Sequence, residues 1–373
     1  MAEYTTSQLA CFKRCPKKWF YSYYKLLDPV KFRKTLELGS YVHYLLDAFY
    51  KPVDEEFNTK LITTDSLQDV AMQRYSGVLV ASEKYFEEKT ANLFEEEMMK
   101  FVEMRQEAEA IVTRYIEQNA EDLEKYNVIA TEKEFKIPVY NNNGKRTRDF
   151  LRGKLDMVVE DMFTTIWFFE HKTTSDSVDN RFDTVELEEQ LNNYIMVTSG
   201  LYGDYFGGGI LNVIRKKAPR LPEPLKSGKG LSKDKKIDTT YDLYLEAIHK
   251  YGYDPNDYTE MLGILKEKGD RFYGRKIVSR KPYQILETRD EIYFTIQSIK
   301  ELLRLYKKTG NEAVFYRVPT FMCGNMCDFC NLCMLDSKKG DVENYIAGNF
   351  TKRNFVNREL TMENVDSLDG MQK

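Results

Sequence analysis

Apolar residues recur along the chain at two different spacings, and the change between them divides it. In LELGSYVHYLLDAFY, Leu38, Val42, Leu45, Leu46 and Phe49 fall on one stripe at helical spacing. Residues 5–50 read as helical throughout, broken at Cys15-Pro16 because proline lacks the amide a helix interior needs. Residues 66–126, rich in Glu, Lys, Ala, Met and Leu, predict two or three more helices. At Tyr126 the period shortens. VIATEKEFKIPVY reads as a strand, NNNG (Asn141–Gly144) as a turn, and residues 150–160 and 165–174 as two further strands. Ile166–Phe169 are four apolar residues in a row, which predicts burial on both faces. Thr184–Ser199 predicts a helix capped by Asp183 and closed by Gly200, with Leu187, Leu191, Tyr194, Ile195 and Thr198 on its buried side. A glycine-rich strand follows in LYGDYFGGGILNVIRKK, and residues 241–310 return to helical periodicity.

These elements predict an α/β protein with a strand–strand–strand–helix–strand core flanked by helical segments. Its parts are a helical N-terminal segment (1–126), a core (127–215), a basic loop (216–240), a helical segment (241–320), a cysteine cluster (321–336) and a polar tail (337–373).

Composition narrows the function. Of 373 residues, 42% are hydrophobic and 31% charged, enough for a sizeable core. No apolar run spans a bilayer and the N-terminus lacks a signal-peptide core, so a cytoplasmic location is expected, the host cytoplasm if the source is viral. A net charge of −4 excludes a basic coat and leaves nucleic-acid contact to local surface. The densest positive run, Arg215 to Lys236, holds nine basic residues and two acidic ones. It begins with Arg215, Lys216 and Lys217 and reads either as a solvated loop or as a clamp on the DNA backbone. RFYGRKIVSRKPY (271–283) mixes Arg, Lys and aromatics, and reads as a single-strand contact or as an ordinary strand with basic edges.

The acidic candidates lie on the two central strands. A hairpin centred near Phe163 sets Asp156 beside Glu170, and alternation turns Glu170 and Lys172 the same way. Two carboxylates and an ammonium at one end of a hairpin suit metal-dependent phosphodiester hydrolysis. Alone the pattern is common on surfaces, but the buried run before Glu170 favours a cleft. His43 lies on the striped N-terminal helix, either as a core histidine or as a ligand, and Gly39 one turn earlier allows another element to approach closely. Gln190 and Tyr194, four residues apart, share a helix face.

The ordered set GSYVH (39–43), TEKEF (131–135), GKLD (153–156), EHK (170–172) and QLNNY (190–194) resembles the RecB-like branch of the PD-(D/E)XK nuclease superfamily, close to CRISPR-associated RecB-type and phage recombination exonucleases. The resemblance implies a restriction-endonuclease-like mixed sheet and a DNA exonuclease acting on a free end in recombination, repair or replication. It implies that His43, Asp156, Glu170 and the backbone carbonyl of His171 hold Mg²⁺ or Mn²⁺, that Lys172 is catalytic with Asp156 and Glu170, and that Gln190 and Tyr194 contact DNA. Glu132 matches a supporting acidic position, with Glu134 as its alternative. The chain carries no GxxxxGK[ST] loop, so unwinding would fall to a helicase or recombinase partner. Dimers and closed rings both occur among such nucleases, and the oligomeric state stays open. An inactive DNA-binding or assembly module, or a zinc-stapled interaction domain, are the competing readings.

Six cysteines, Cys11, Cys15, Cys323, Cys327, Cys330 and Cys333, crowd at the two ends of the chain, a pattern of metal binding rather than of a secreted disulfide scaffold. SQLACFKRCPKKWFYSY and the Cys323–Cys333 segment resemble the iron–sulfur clasp of related nucleases, which implies a 4Fe–4S cluster on Cys15, Cys323, Cys327 and Cys333. Cys323 is spaced by one residue more than usual, and Cys330 is an alternative ligand. A self-contained Zn²⁺ knuckle on Cys323, Cys327, Cys330 and Cys333 is the competing arrangement, though it leaves Cys15 unexplained.

Overall fold

The chain enters as a short strand, β1 (Ala2–Thr5), that passes straight into helix α1 (Thr6–Arg14). Thr5 caps α1: its hydroxyl accepts from the Gln8 amide while the Gln8 side chain accepts from the Thr5 amide. Cys15 breaks the helix and Pro16 restarts it as α2 (Pro16–Trp19). The computed structural model describes residues 2–30, 32–51, 67–91, 93, 95–228, 230–269 and 271–353. Next come β2 (Leu27–Pro29), α3 (Lys34–Tyr50), α4 (Leu67–Thr90), α5 (Glu95–Asn119) and the single turn α6 (Asp122–Lys125). Strands β3 (Tyr126–Tyr140), β4 (Arg146–Asp161) and β5 (Ile166–Thr174) precede α7 (Val178–Asp183), α8 (Glu189–Tyr202) and β6 (Phe206–Arg215). The chain closes with α9 (Tyr241–Lys250), α10 (Thr259–Lys268), β7 (Tyr273–Val278), α11 (Pro282–Thr309), α12 (Met322–Met326), α13 (Cys330–Ser337), α14 (Val342–Asn349) and β8 (Phe350–Lys352).

The main sheet is mixed. β3 pairs antiparallel with β4 along nearly its whole length. On the other edge of β4, β1 lies parallel to residues 149–152 and β5 antiparallel to residues 157–160. Between Arg152 and Met157 that edge passes from one neighbour to the other, so β4 forks there. β5 continues parallel to β6, and β6 pairs antiparallel with β7. The hairpin has the register expected from its centre at Phe163: Met157 faces Phe169 and Glu160 faces Ile166.

Both faces are covered, as the apolar run in β5 requires. Phe168 packs with Leu155, Val158, Leu191, Tyr194 and Ile296 on the α8 and α11 side. Phe169 packs with Val42, Leu45, Phe49, Val112 and Met157 on the α3 and α5 side. A third cluster, Leu231, Tyr244, Ile248, Tyr258 and Met261, lies within the segment inserted between β6 and β7.

Three expectations are corrected. The helix expected over 184–199 begins only at Glu189, because Ser177 caps a separate turn that ends at Asp183. Leu187 then sits on a 3₁₀ turn and is 83% exposed, and α8 runs through Gly200 to stop at Gly203, whose φ is +55°. Second, the helical segment 241–320 is interrupted by β7, a strand set by its pairing with β6 rather than by local propensity. Third, the tail is structured up to Arg353: β8 pairs with β2, and Phe329 stacks on Phe350. Residues 354–373 of that tail lie outside the described residues.

The two chain ends are also joined by charge. The buried Lys17 ammonium lies 3.2 Å from both Glu312 and Asp336, the Tyr21 hydroxyl donates to Asp336 at 3.2 Å, and Arg33 pairs with Asp328. These contacts lie beside Cys15 and the C-terminal cysteines.

Glycine substitutions separate crowding from propensity. A Cβ at Gly39, where α3 crosses β5, would stand 2.8 Å from the Thr173 hydroxyl, whereas one at Gly77 on α4 meets nothing within 4 Å. Gly39→Ala is therefore expected to destabilise by about 1–3 kcal/mol and Gly77→Ala to stabilise by about 0.5–1 kcal/mol in urea titrations. Shifts of the same sign would contradict this packing.

Candidate active site

The fork in β4 is where the carboxylates meet. Just past the last β4–β5 pair, Asp156 and Glu170 are the next residues on their strands, and the His171 amide donates to Asp156 Oδ2 at 2.8 Å. Lys172 Nζ lies 2.5 Å from Glu170 Oε1 and donates to Gln190 Oε1 at 2.6 Å. Gln190 reaches it from the first turn of α8. Tyr194, one turn on, is buried edge-on against Phe135 and Phe168. From the opposite face α3 brings His43, whose Nδ1 is 3.7 Å from Asp156 Oδ2. The close crossing at Gly39 makes that approach possible.

The electrostatics follow from burial. Glu170 is 1% exposed. Burial pushes both carboxyls above their usual range, and the Asp156 charge raises Glu170 further while Lys172 pulls both down. Burial alone would lower Lys172, but Glu170 and Asp156 outweigh it and keep the ammonium charged. Burial lowers His43 to about 4, so it stands neutral beside Asp156. Glu170 Oε2 is buried without any hydrogen-bond partner. Two buried like charges and an orphaned carboxylate oxygen fit a hard divalent cation. Among the described residues no three His, Cys, Asp or Glu side chains form a ready metal-holding group. Asp156 and Glu170 are the side chains that could hold such an ion, with main-chain oxygen and water completing its shell and His43 beside Asp156.

Glu132 lies across β3 from Asp156, between the pairs Thr131–Met157 and Lys133–Leu155, and salt-bridges Lys154. Its φ of +51° is unusual for a non-glycine residue. Glu132 joins His43, Asp47, Asp156 and His171 around a narrow crevice, while Glu134 lines a different cleft beside Gln190 and Tyr194. That second cleft, of about 390 Å³, shares Thr6, Ser7 and Gln190 with a larger one of about 970 Å³ that Arg14, Lys18 and Arg181 also line.

The basic candidates are mostly engaged within the fold. Arg215 donates to Asp238 at 2.9 Å, and Lys217 pairs with the same carboxylate. Lys216 donates to the Thr35 carbonyl at 2.7 Å, and its charge acts on His43. Lys229, in the same run, lies outside the described residues. Residues 271–283 contain β7, as the ordinary-strand alternative expects. Arg275 is tied to Asp122 and Asn212, and Arg280 to Glu186 and Asn192, so these cations are structural.

Sequence reasoning missed Asp47, Asn212 and Arg275. Asp47 follows His43 by one helical turn, and its Oδ1 is buried without a partner. That spacing was a usable signal. Asn212 and Arg275 gave none, since their positions depend on strand pairings far apart in sequence.

The thiols gather around α2. Burial raises Cys333 and Cys327; Cys15 and Cys327 then add to Cys333, and Cys323 and Cys15 to Cys327. Burial raises Cys11 to about 11, with Cys15 and Cys327 adding to the rise. Cys330 opens α13. The donor set fits a thiolate-bound group, although it forms no closed metal-holding cluster as it stands.

No helix among the described residues is long and apolar enough to cross a membrane. No curated protein matches the chain. A family model does, over residues 3–334, taking in the fork, α8 and Cys333 alike: the chain belongs to the PD-(D/E)XK nuclease superfamily.

Proposed function

We propose that the protein is a divalent-metal-dependent exonuclease that hydrolyses DNA phosphodiester bonds from a free end during recombination, repair or replication. Superfamily membership points to a metal-dependent nuclease acting on DNA. One observation supports the assignment of residues: Asp156, mostly shielded, and the buried Glu170 meet at the fork with Lys172 against Glu170.

In this reading Asp156, Glu170, His43 and the His171 carbonyl hold Mg²⁺ or Mn²⁺, and Glu132 supports them. The ion would polarise the phosphate and acidify a bound water. Lys172, fixed by Glu170 and Gln190, sets its positive charge where the phosphate gains negative charge in the transition state. Gln190 and Tyr194 line the cleft that would carry the strand. Lys216 contacts the DNA backbone, and Arg215 and Lys217 do so by exchanging Asp238 for phosphate. Strand separation, where needed, comes from a helicase or recombinase partner.

We assign the thiols Cys15, Cys323, Cys327 and Cys333 to a 4Fe–4S cluster, with Cys330 held as the alternative ligand. What supports the reading is that Cys15, Cys323, Cys327 and Cys333 lie within electrostatic reach of one another, and four thiolates can hold such a cluster.

With Mg²⁺ present, folded Lys172→Ala protein is expected to hydrolyse labelled linear DNA about 10²–10³-fold more slowly than wild type. EDTA should abolish the wild-type reaction, and an alanine variant as fast as wild type would remove Lys172 from the site.

Acid should oppose metal binding. Both carboxyls hold protons more tightly folded than unfolded, so without metal this pair favours the fold at low pH and costs stability as pH rises toward about 7. Bound cation must displace those protons. Mn²⁺ affinity measured by calorimetry should therefore rise between about pH 5 and 7.5 and then level; a flat profile would contradict the raised carboxyls.

Protein purified without oxygen should carry about four irons and four sulfides per chain, with Cys15→Ser losing them. Zinc without iron would refute the cluster.

A further inference from the structure

Behind Glu170-His171-Lys172 lies a ladder of polar side chains that the carboxylate chemistry does not use. His171, Asn212 and Arg275 are direct register partners on β5, β6 and β7, so their side chains share the sheet face covered by α3, α5 and α6. Tyr50, Tyr115 and Asp122 complete the set from those helices. All but Arg275 are buried.

Donor accounting sets every proton. Arg275 Nε donates to Asn212 Oδ1 at 3.1 Å, which turns the Asn212 amide nitrogen toward its other neighbours. That nitrogen spends its two hydrogens on the Tyr115 hydroxyl at 3.0 Å and His171 Nδ1 at 2.8 Å. The Tyr115 hydroxyl also accepts from Arg275 Nη2 at 2.7 Å, so its own proton goes to Tyr50 at 2.9 Å. Tyr50 donates to Asp122 Oδ2 at 2.5 Å, and the Arg275 fork closes on the same carboxylate with two bonds of 2.6 Å. The donors therefore branch from Arg275 and Asn212: one arm ends on His171 Nδ1 and the other passes through Tyr115 and Tyr50 to Asp122. His171 Nδ1 must offer a lone pair, and the proton of the neutral ring resides on Nε2. The Tyr50 ring lies stacked on the imidazole, centroids 6.0 Å apart and 13° from parallel.

We propose that Asn212 and Arg275 are positioning residues for the metal centre: they hold the His171 imidazole in its Nε2–H form and so lock the main chain between Glu170 and Lys172. The His171 amide, which binds Asp156, and its carbonyl, assigned above to the cation, are fixed by a side chain on the opposite face of the sheet. A ring so held has no lone pair left for a cation, so His171 serves the metal through its main chain alone. This inference rests on the nuclease reading for what the ladder supports, but not for the ladder itself.

The test uses the full-length protein free of DNA. The chain has only three histidines, so long-range ¹H–¹⁵N correlation resolves each ring, with His43→Ala and His249→Ala giving the assignment. Wild-type His171 should carry its proton on Nε2; a proton on Nδ1 would overturn the proposal without any variant. Asn212→Asp replaces the donor to Nδ1 with an acceptor, and Arg275→Lys keeps the charge but loses the fork. Each should weaken Mn²⁺ binding by calorimetry about 10–100-fold, with Asn212→Asp moving the His171 proton to Nδ1. Asn212→Gln, which retains an amide donor, should recover part of the affinity that Asn212→Asp loses. Folded variants with the tautomer moved and wild-type Mn²⁺ affinity would overturn the positioning role. Should wild type bind no Mn²⁺, the metal role and the nuclease reading fall together, while the tautomer still judges the ladder.

Discussion

Two carboxylates share a largely buried site at the fork of one strand, and much of the architecture serves that arrangement. Asp156 and Glu170 come together because the β4–β5 register ends there. Burying like charges side by side is unfavourable unless something positive answers them. Lys172 answers part of the charge and is held to the task by Gln190. The orphaned Glu170 Oε2 marks where the answer is incomplete. The instability of the metal-free site and its proposed affinity for a divalent ion are thus one property.

A single strand divides the labour. β5 turns Phe168, Glu170 and Lys172 toward α8 and turns Phe169 and His171 toward α3 and α5. Reacting groups and supporting groups are therefore neighbours in sequence but lie on opposite faces of the sheet. The Arg275–Asp122 pair on the far face is matched by guanidinium and carboxylate in a bidentate geometry, so its burial is compensated locally. The chain ends perform a separate role: Lys17, Tyr21 and Asp336 dock the cysteine segment beside Cys15.

Legibility in the sequence followed locality. The hairpin register, the α3 stripe with His43 and the Gly39 crossing could all be read, because each depends on periodicity or on a turn within a short span. The start of α8 could not, since Asp183 looks like a cap from either side and Ser177 had already opened a turn before it. β7 lay among helical neighbours and was read only as one of two alternatives, and the structural use of Arg275 and Arg280 was hidden because their partners lie up to 160 residues away. The pairing of Arg215 and Lys217 with Asp238 was hidden for the same reason: charge is visible in a sequence and its partner is not.

The most direct test is anomalous diffraction from crystals grown with Mn²⁺. The account predicts a peak in contact with both Asp156 and Glu170 that disappears in Asp156→Asn. Manganese bound elsewhere, with those two carboxylates free of metal at neutral pH, would contradict it.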